Sequence, residues 1–211
     1  MLFWYCHKIK SCDSGVQSII KKMYICIMSR NYKFHNPEGV YFTSFTVVEW
    51  LDVFTRNEYK DIVIDSFHYC QKEKGMEIFA WCIMTSHVHL IFRIISELTP
   101  QQVVGDLKRF SSKAIVKAIQ KNPQESRKEF LLEKFSDAAQ KSSNVRDYKF
   151  WQHENHPIEL WSPKVTNEKI NYIHFNPVEA GFVYKPEEYI YSSAKDYSGE
   201  KGLVNDVIVV I

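Results

Sequence analysis

The sequence predicts an α+β fold in which helices cover one face of an antiparallel β-sheet. Runs rich in β-branched and aromatic residues alternate with segments whose apolar residues recur every three to four positions. Their order along the chain is strand, helix, strand, strand, helix. Only a short link separates the two consecutive strands, which favours an antiparallel hairpin. This order is typical of a two-layer α+β sandwich.

Composition and charge set wide limits on the class of protein. The 211 residues suffice for one large domain, and 45% hydrophobic and 25% charged residues are ordinary for a globular protein. The net charge of +2 indicates no partner by itself. Five cysteines without a Cys-x-x-Cys pair disfavour a disulfide framework and a zinc knuckle, and fit a cytoplasmic protein. No apolar run approaches the ~20 residues that span a bilayer, so we expect no membrane partner.

The chain is predicted to have three segments. Residues 1–27 form an N-terminal extension outside the core, because their apolar opening precedes their lysines, the reverse of an export signal, and Met28 suits a second start. Residues 28–197 form the core domain, and residues 198–211 form a C-terminal tail. The stretch from Leu203 to Ile211 in that tail is a candidate edge strand without an indicated partner.

The first strand and helix are defined by turn and capping signals. The strand follows the turn signal Asn36-Pro37-Glu38-Gly39 and extends to about Val48. Helical spacing predicts a helix over about 56–74, with Thr55 and Glu58 as a capping box and Gly75 as its end.

The next two strands carry the most informative residues. Residues 76–84 form one strand, Thr85-Ser86 the link, and the run beginning at His87 the other. Since side chains alternate along a strand, His87 and His89 share one face and the apolar residues share the other. A helix over about 101–120 follows. We expect the apolar face to pack on the helices and the histidine face to stay open.

Two imidazoles on one strand face suit a metal ion. Neutral histidines at positions 87 and 89 can converge on one cation and leave most of its coordination sphere for another protein ligand, water or substrate. The alternative is that His87 and His89 are ordinary half-exposed strand histidines.

Basic residues are in excess after the histidine strand. Residues 101–150 contain 11 Lys or Arg and 6 Asp or Glu. A phosphate-contacting face on the predicted helix would comprise Lys108, Arg109, Lys113 and Lys117, although a solvated helix face gives the same pattern. Residues 121–149 are polar and are predicted to form a loop or mobile insertion. Trp151 is a candidate for stacking on an unpaired base, the alternative being a core aromatic.

The last predicted helix carries a tyrosine and an asparagine four residues apart. It is expected to end near Asn176, because Pro177 disfavours α geometry at the preceding residue. Tyr172 and Asn176 then lie one turn apart on one face. Beside a cation, the phenolate of Tyr172 could attack a phosphodiester while Asn176 supplies a third, oxygen ligand. The alternative is a surface tyrosine above a helix-terminal asparagine.

Together these motifs resemble the HUH single-tyrosine transposases. The resemblance rests mainly on two motifs, His87-Val88-His89 and Tyr172-Ile-His-Phe-Asn176-Pro177-Val-Glu-Ala180-Gly181. The second is similar to the Tyr-Ile-x-x-Asn-Pro-Val-x-Ala-Gly segment of the branch called REP-associated tyrosine transposases. Two further matches to that branch are Phe150-Trp151 and Pro186-Glu-Glu-Tyr189-Ile-Tyr191-Ser192-Ser193-Ala194.

The resemblance implies a ferredoxin-like domain with a C-terminal helical extension that binds single-stranded or hairpin DNA as a monomer or homodimer. It implies that His87, His89 and Asn176 hold Mg²⁺ or Mn²⁺. It also implies that Tyr172 cleaves the DNA and forms a 5′-phosphotyrosine link, which a 3′-OH can reverse or redirect. The chain departs from the family at Thr85-Ser86, where Pro-Asn or Pro-Asp is usual, in its long 121–149 insertion and in residues 1–27.

Two other functions stay open. One is a domesticated transposase that binds DNA hairpins without cleaving them. The other is a metal-dependent phosphodiesterase or RNA nuclease that uses water as the nucleophile. Replacement of Tyr172 by phenylalanine would spare the water-using enzyme and would inactivate the transposase.

Overall fold

The computed structural model describes residues 34–142, 146–153 and 155–210 of the 211-residue chain. The predicted N-terminal extension, residues 1–27, lies outside the described residues. Within the described ranges, no helix combines the length and apolarity needed to cross a membrane.

The described ranges centre on an antiparallel sheet of four strands in the order β2-β3-β1-β4. The strands are β1 (Tyr41–Thr46), β2 (Met76–Ile83), β3 (His87–Ile94) and β4 (Ile158–Glu159). The predicted hairpin of β2 and β3 is confirmed, and the Met84 amide donates to the carbonyl of His87 at 2.8 Å. The register places His89 opposite Ser44 of β1.

Two helices cover the apolar face of this sheet, as predicted. They are α1 (Asn57–Lys74) and α2 (Pro100–Lys121), and between them and the sheet lie the fully buried side chains of Val88, Leu90 and Phe92. Gly75 ends α1 in the left-handed conformation, with φ of 65°. The capping box predicted for Thr55 and Glu58 is wrong, since α1 begins after Arg56 without a side-chain cap and the Thr55 hydroxyl donates to the Asp52 carbonyl at 3.5 Å.

The insertion predicted as a loop contains a helix, α3 (Lys128–Gln140). Three of its residues, Leu131, Phe135 and Ala139, are buried and lie four apart, on one helix face. Phe135 packs on Phe150, with ring centroids 5.2 Å apart. The hydrophobic burial of this face outweighs the polar composition of the segment, which was the reason for predicting a loop.

The fourth helix, α4 (Pro163–Glu179), packs on the histidine face of the sheet. The expectation that this face stays open is therefore wrong, and His89 is only 4% exposed. The predicted end of α4 at Asn176 is also wrong, because Pro177 lies inside the helix. Pro177 and Ile173 are buried, so packing against the sheet outweighs the local effect of proline on its neighbour.

The C-terminal extension covers the outer edge of β2. It contains a 3₁₀ turn (Pro186–Glu188) and a single helical turn, α5 (Ala194–Tyr197), which confirms the predicted helical extension. Backbone bonds of 2.9 to 3.0 Å join Ile83 to Tyr191 and Ser193 to Trp81. The tail beyond them is not an edge strand, although the Ile208 amide donates to the Ile78 carbonyl at 2.9 Å. These contacts satisfy backbone groups that an exposed edge strand would leave unpaired.

Candidate active site

The two histidines of β3 meet on one face of the sheet, as strand alternation predicts. Their ring centroids are 4.7 Å apart and their planes are inclined by 75°. His89 is almost completely buried, and its Nε2 atom has no hydrogen-bond partner. A buried imidazole nitrogen without a partner is a costly arrangement unless it binds a further group.

Serine hydroxyls hold the other ring nitrogen of both histidines. Ser44 Oγ lies 3.1 Å from His89 Nδ1, and Ser86 Oγ lies 3.2 Å from His87 Nδ1. When each Nδ1–H donates to its serine, each Nε2 carries a lone pair for a ligand. The serines therefore favour the tautomer that binds a metal through Nε2.

The environment also keeps both imidazoles neutral. Burial lowers the pKa of His87 to about 4, partly offset by the charge of Asp52. Burial lowers the pKa of His89 well below its usual value, and the charges of His87 and Lys169 act in the same direction. Neutral imidazole is the form that binds metal ions.

Helix α4 brings Tyr172 to this pair. The rings of Tyr172 and His89 have centroids 5.3 Å apart and meet edge to face at 67°. Phe42 of β1 completes the group, because it stacks on His89 at 5.6 Å and touches the edge of Tyr172 at 6.1 Å. Tyr172 is half-buried. Three residues predicted to act together, His87, His89 and Tyr172, thus lie side by side.

Asn176 lies one helical turn beyond Tyr172. Its Nδ2 donates to the Tyr172 carbonyl at 3.1 Å, which fixes the amide and leaves Oδ1 as its ligand atom. No cluster of three or more His, Cys, Asp or Glu side chains suited to a metal ion occurs in the described part of the chain. A cation here would depend on two imidazoles and the asparagine oxygen.

Lys169 was not predicted and lies beside the tyrosine. Its Nζ is 5.4 Å from the centroid of Tyr172 and 5.0 Å from that of Phe42. Burial lowers its pKa from the usual 10.5. Its position three residues before Tyr172 is the sequence signal that would have found it, because such residues share a helix face.

The link between β2 and β3 departs from the family but is held firmly. The Thr85 hydroxyl donates to Asp52 Oδ1 at 2.6 Å, and the Phe54 amide donates to the Thr85 carbonyl at 2.9 Å. Ser86 contacts His87 as described above. The hydroxyls of this Thr-Ser link therefore position the first histidine.

The basic residues predicted on α2 divide into two groups. Arg109, Lys113 and Lys117 are exposed and line a groove of about 880 Å³ between α2 and residues 146–151. The same groove also contains Lys121, Arg146 and Lys149, opposed by Asp147. This side of the molecule is strongly basic.

Lys108 has a different position from its neighbours on α2. Its Nζ donates to the Gln152 carbonyl at 2.7 Å and to Asn155 Oδ1 at 2.5 Å. Burial lowers its pKa to about 8, and the charge of Lys149 adds to this. The Asn155 carbonyl in turn accepts from the Ser44 amide at 3.2 Å. Lys108 therefore anchors Gln152 and Asn155 next to strand β1.

Trp151 is a core residue, which corrects the predicted stacking role. It is 5% exposed, and its Nε1–H donates to Ser111 Oγ at 3.0 Å. Its ring packs against Phe45, Phe54 and Phe150. A base cannot stack on this ring without opening the core.

The fold and this grouping of histidines and tyrosine define a class of DNA-processing protein, and the comparisons agree. Residues 46–153 match the profile of the IS200-like transposases. That span covers half of the chain and includes both histidines, and the chain belongs to this family. No curated protein matches the chain.

A solved structure supports the fold. A REP-associated tyrosine transposase bound to a REP hairpin superimposes with a TM-score of 0.57 and 14% identity, over 87% of this chain and 94% of that chain. A protein described as a transposase, from Deinococcus radiodurans R1, has 18% identity over 69% of this chain and 93% of that chain. Its TM-score is 0.39.

Proposed function

We propose that this transposase cleaves and rejoins single-stranded hairpin DNA through a 5′-phosphotyrosine intermediate, with Tyr172 as the nucleophile. The observation that carries the proposal is the 5.3 Å contact between the rings of Tyr172 and His89, on the face that also holds His87. A phenol beside two neutral imidazoles combines a nucleophile with a site for a cation.

The residues present fit a weakly held Mg²⁺ or Mn²⁺ ion. His87 and His89 would bind it through Nε2 and Asn176 through Oδ1, and the orphaned Nε2 of buried His89 supports this assignment. A site without thiolate or carboxylate is unlike a tight structural zinc site. When bound, the ion would polarise the scissile phosphate.

The chain's own residues account for the remaining steps. The Tyr172 oxygen attacks phosphorus as the bond from phosphorus to the 3′-oxygen breaks. The phenol loses one proton and the departing 3′-oxygen gains one, so that strand leaves with a 3′-OH. We propose that the Lys169 ammonium, 5.4 Å from the centroid of the Tyr172 ring, opposes the negative charge that develops at the reacting oxygens. One phosphodiester replaces another, so a 3′-OH can reverse or redirect the reaction without ATP.

The basic groove on α2 is proposed to hold the DNA backbone. Exposed cations along one helix contact phosphates without reading sequence. The hairpin bound in the similar structure supports a hairpin as the partner. We propose further that the protein acts in the cytoplasm, as a monomer or homodimer.

The decisive experiment compares the wild type with Tyr172→Phe on labelled hairpin DNA with single-stranded flanks in Mn²⁺. Products are separated on denaturing gels with and without protease. We expect a protease-sensitive adduct for the wild type alone, its loss in a chelator and its return with Mn²⁺. Tyr184→Phe is the matched control, because Tyr184 is 95% exposed and its loss should leave the adduct intact.

The other outcomes identify the two competing functions. Equal cleavage by wild type and Tyr172→Phe would show that water is the nucleophile. Retardation of uncut DNA in a native gel, without cleavage by either protein, would show a hairpin-binding protein. Cleavage that resists chelation would remove the metal from the proposal.

A further inference from the structure

The turn after β1 presents a tryptophan on a strained backbone. Glu49 and Trp50 have φ of 53° and 58°, a left-handed conformation that residues with large side chains rarely adopt. Trp50 is nevertheless 59% exposed, so burial of the indole does not explain the strain. Strained backbone that persists in a folded protein is commonly associated with a functional site.

The surrounding structure holds this turn from several sides. Before it, the Val48 amide donates to the Phe150 carbonyl at 2.9 Å. Within it, Lys134 of α3 pairs with the Glu49 carboxylate at 3.1 Å. After it, Arg127 donates to the Asp52 carbonyl at 3.1 Å. The insertion that sets this chain apart thus contributes both cations that fix the turn.

The turn places the indole beside the active site. The ring centroids of Trp50 and His87 are 5.6 Å apart, and the rings meet edge to face at 69°. His87 in turn contacts His89, which contacts Tyr172. Trp50 is therefore the exposed end of a chain of ring contacts that begins at the proposed nucleophile.

We infer that Trp50 is a stacking platform for one unpaired base of the DNA, next to the scissile phosphate. This inference rests on the proposed function and adds a base-binding subsite to it. An exposed indole stacks on any base, because every base offers a π face. A base held there would fix the backbone beside His87. The core position of Trp151 removes the other tryptophan considered for this role.

The experiment uses Tyr172→Phe protein, so that binding is measured without cleavage. Hairpin DNA carries 2-aminopurine at one unpaired flanking position at a time, and fluorescence quenching reports stacking. We expect strong quenching at one or two positions, lost in Trp50→Ala and Trp50→Leu and restored in Trp50→Phe. Affinity for the flanked hairpin should fall about tenfold in the first two variants. Affinity for the hairpin without flanks should not change.

Trp161→Ala is the matched control. Trp161 is 80% exposed and precedes α4, and Tyr172 lies about 14 Å along that helix from its first residue, Pro163. Its replacement should leave the quenching intact. Thermal melting identifies a variant that fails to fold, and Trp50→Leu keeps apolar bulk if Trp50→Ala does not fold.

Three results would overturn the inference: quenching that persists in Trp50→Leu, equal loss of affinity for hairpins with and without flanks, or no quenching at any position with the protein that keeps Trp50. Failure of the proposed chemistry is a separate outcome. In that case the wild type forms no protein–DNA adduct in Mn²⁺, while the quenching that depends on Trp50 remains.

Discussion

Ser44 Oγ lies 3.1 Å from Nδ1 of His89, across the β1–β3 pair and opposite in register. This contact joins a residue of unremarkable sequence context to the most buried group of the active site. It orients the imidazole so that Nε2 faces away from Ser44. The proposed metal site therefore depends on a neighbouring strand as much as on the histidine pair.

Ser44→Ala should weaken Mn²⁺ binding by about tenfold or more, because loss of a partner that orients a ligand reduces metal affinity by such factors. Stability should fall by about 1 kcal/mol. Isothermal titration with Mn²⁺ measures the first effect. Ser66→Ala is the control, since the Ser66 hydroxyl donates to the Ile62 carbonyl at 2.7 Å within α1. Equal Mn²⁺ affinity in Ser44→Ala and wild type would contradict the role of Ser44.

Phe135→Ala tests the packing of α3. Phe135 is fully buried against Phe150, and removal of such a ring costs about 3–5 kcal/mol of unfolding free energy. Phe130 is 48% exposed on the same helix, so Phe130→Ala should change stability by about 0.5 kcal/mol or less. Urea unfolding of both variants measures the difference. Similar small losses would show that α3 is not part of the cooperative core.

The sequence predicted the sheet, its hairpin and two helices because the period of their apolar residues is clear over many positions. It did not predict α3, although Leu131, Phe135 and Ala139 recur every four residues, because charged and polar residues surround them. The helix end at Pro177 was misplaced for a related reason. In both α3 and the last turn of α4, burial against the rest of the protein stabilises a helix that the local sequence disfavours.

The grouping of His87, His89 and Tyr172 was predictable, since strand alternation and a motif identified these residues. Ser44, Lys169 and Trp50 were not, because their proximity depends on strand register, helix rotation and a strained turn. The sequence also did not show which of the lysines on one helix are exposed. Lys108 anchors a loop through its ammonium, whereas Lys117 on the same helix is exposed.

His174 should make the protein less stable in mild acid. Burial lowers its pKa to about 4 from the ordinary 6.5. Between pH 6.5 and pH 4, therefore, His174 binds a proton in the unfolded chain but not in the folded protein. Stability falls as pH drops through this window, by about 2 kcal/mol between pH 7 and pH 5 from this residue alone. Urea unfolding at both pH values should show a smaller loss for His174→Gln than for wild type.

An unchanged pH dependence in His174→Gln would show that His174 is not neutral in the folded protein.

Lys117→Ala should weaken hairpin binding and reduce the dependence of log affinity on log salt concentration by about 1. Lys117 is exposed and lines the basic groove. Lys72→Ala removes a side chain that is 83% exposed at the end of α1 and should leave the slope unchanged. Binding measured across a salt series separates the two. Identical slopes for both variants would place the DNA elsewhere.

Lys169→Met should reduce the rate of adduct formation by about 100-fold, because its ammonium lies 5.4 Å from the centroid of the Tyr172 ring and would oppose the negative charge that develops in the reaction. Lys169→Arg keeps the charge and should retain much of the rate. Single-turnover assays with excess protein isolate this step from DNA binding. Lys164→Met, an exposed position in the first turn of α4, is the matched control and should behave as wild type. If Lys169→Met lowered hairpin affinity and left the single-turnover rate intact, Lys169 would bind DNA without assisting Tyr172. An unchanged rate and affinity would show that its contact with the two aromatic rings only contributes to packing.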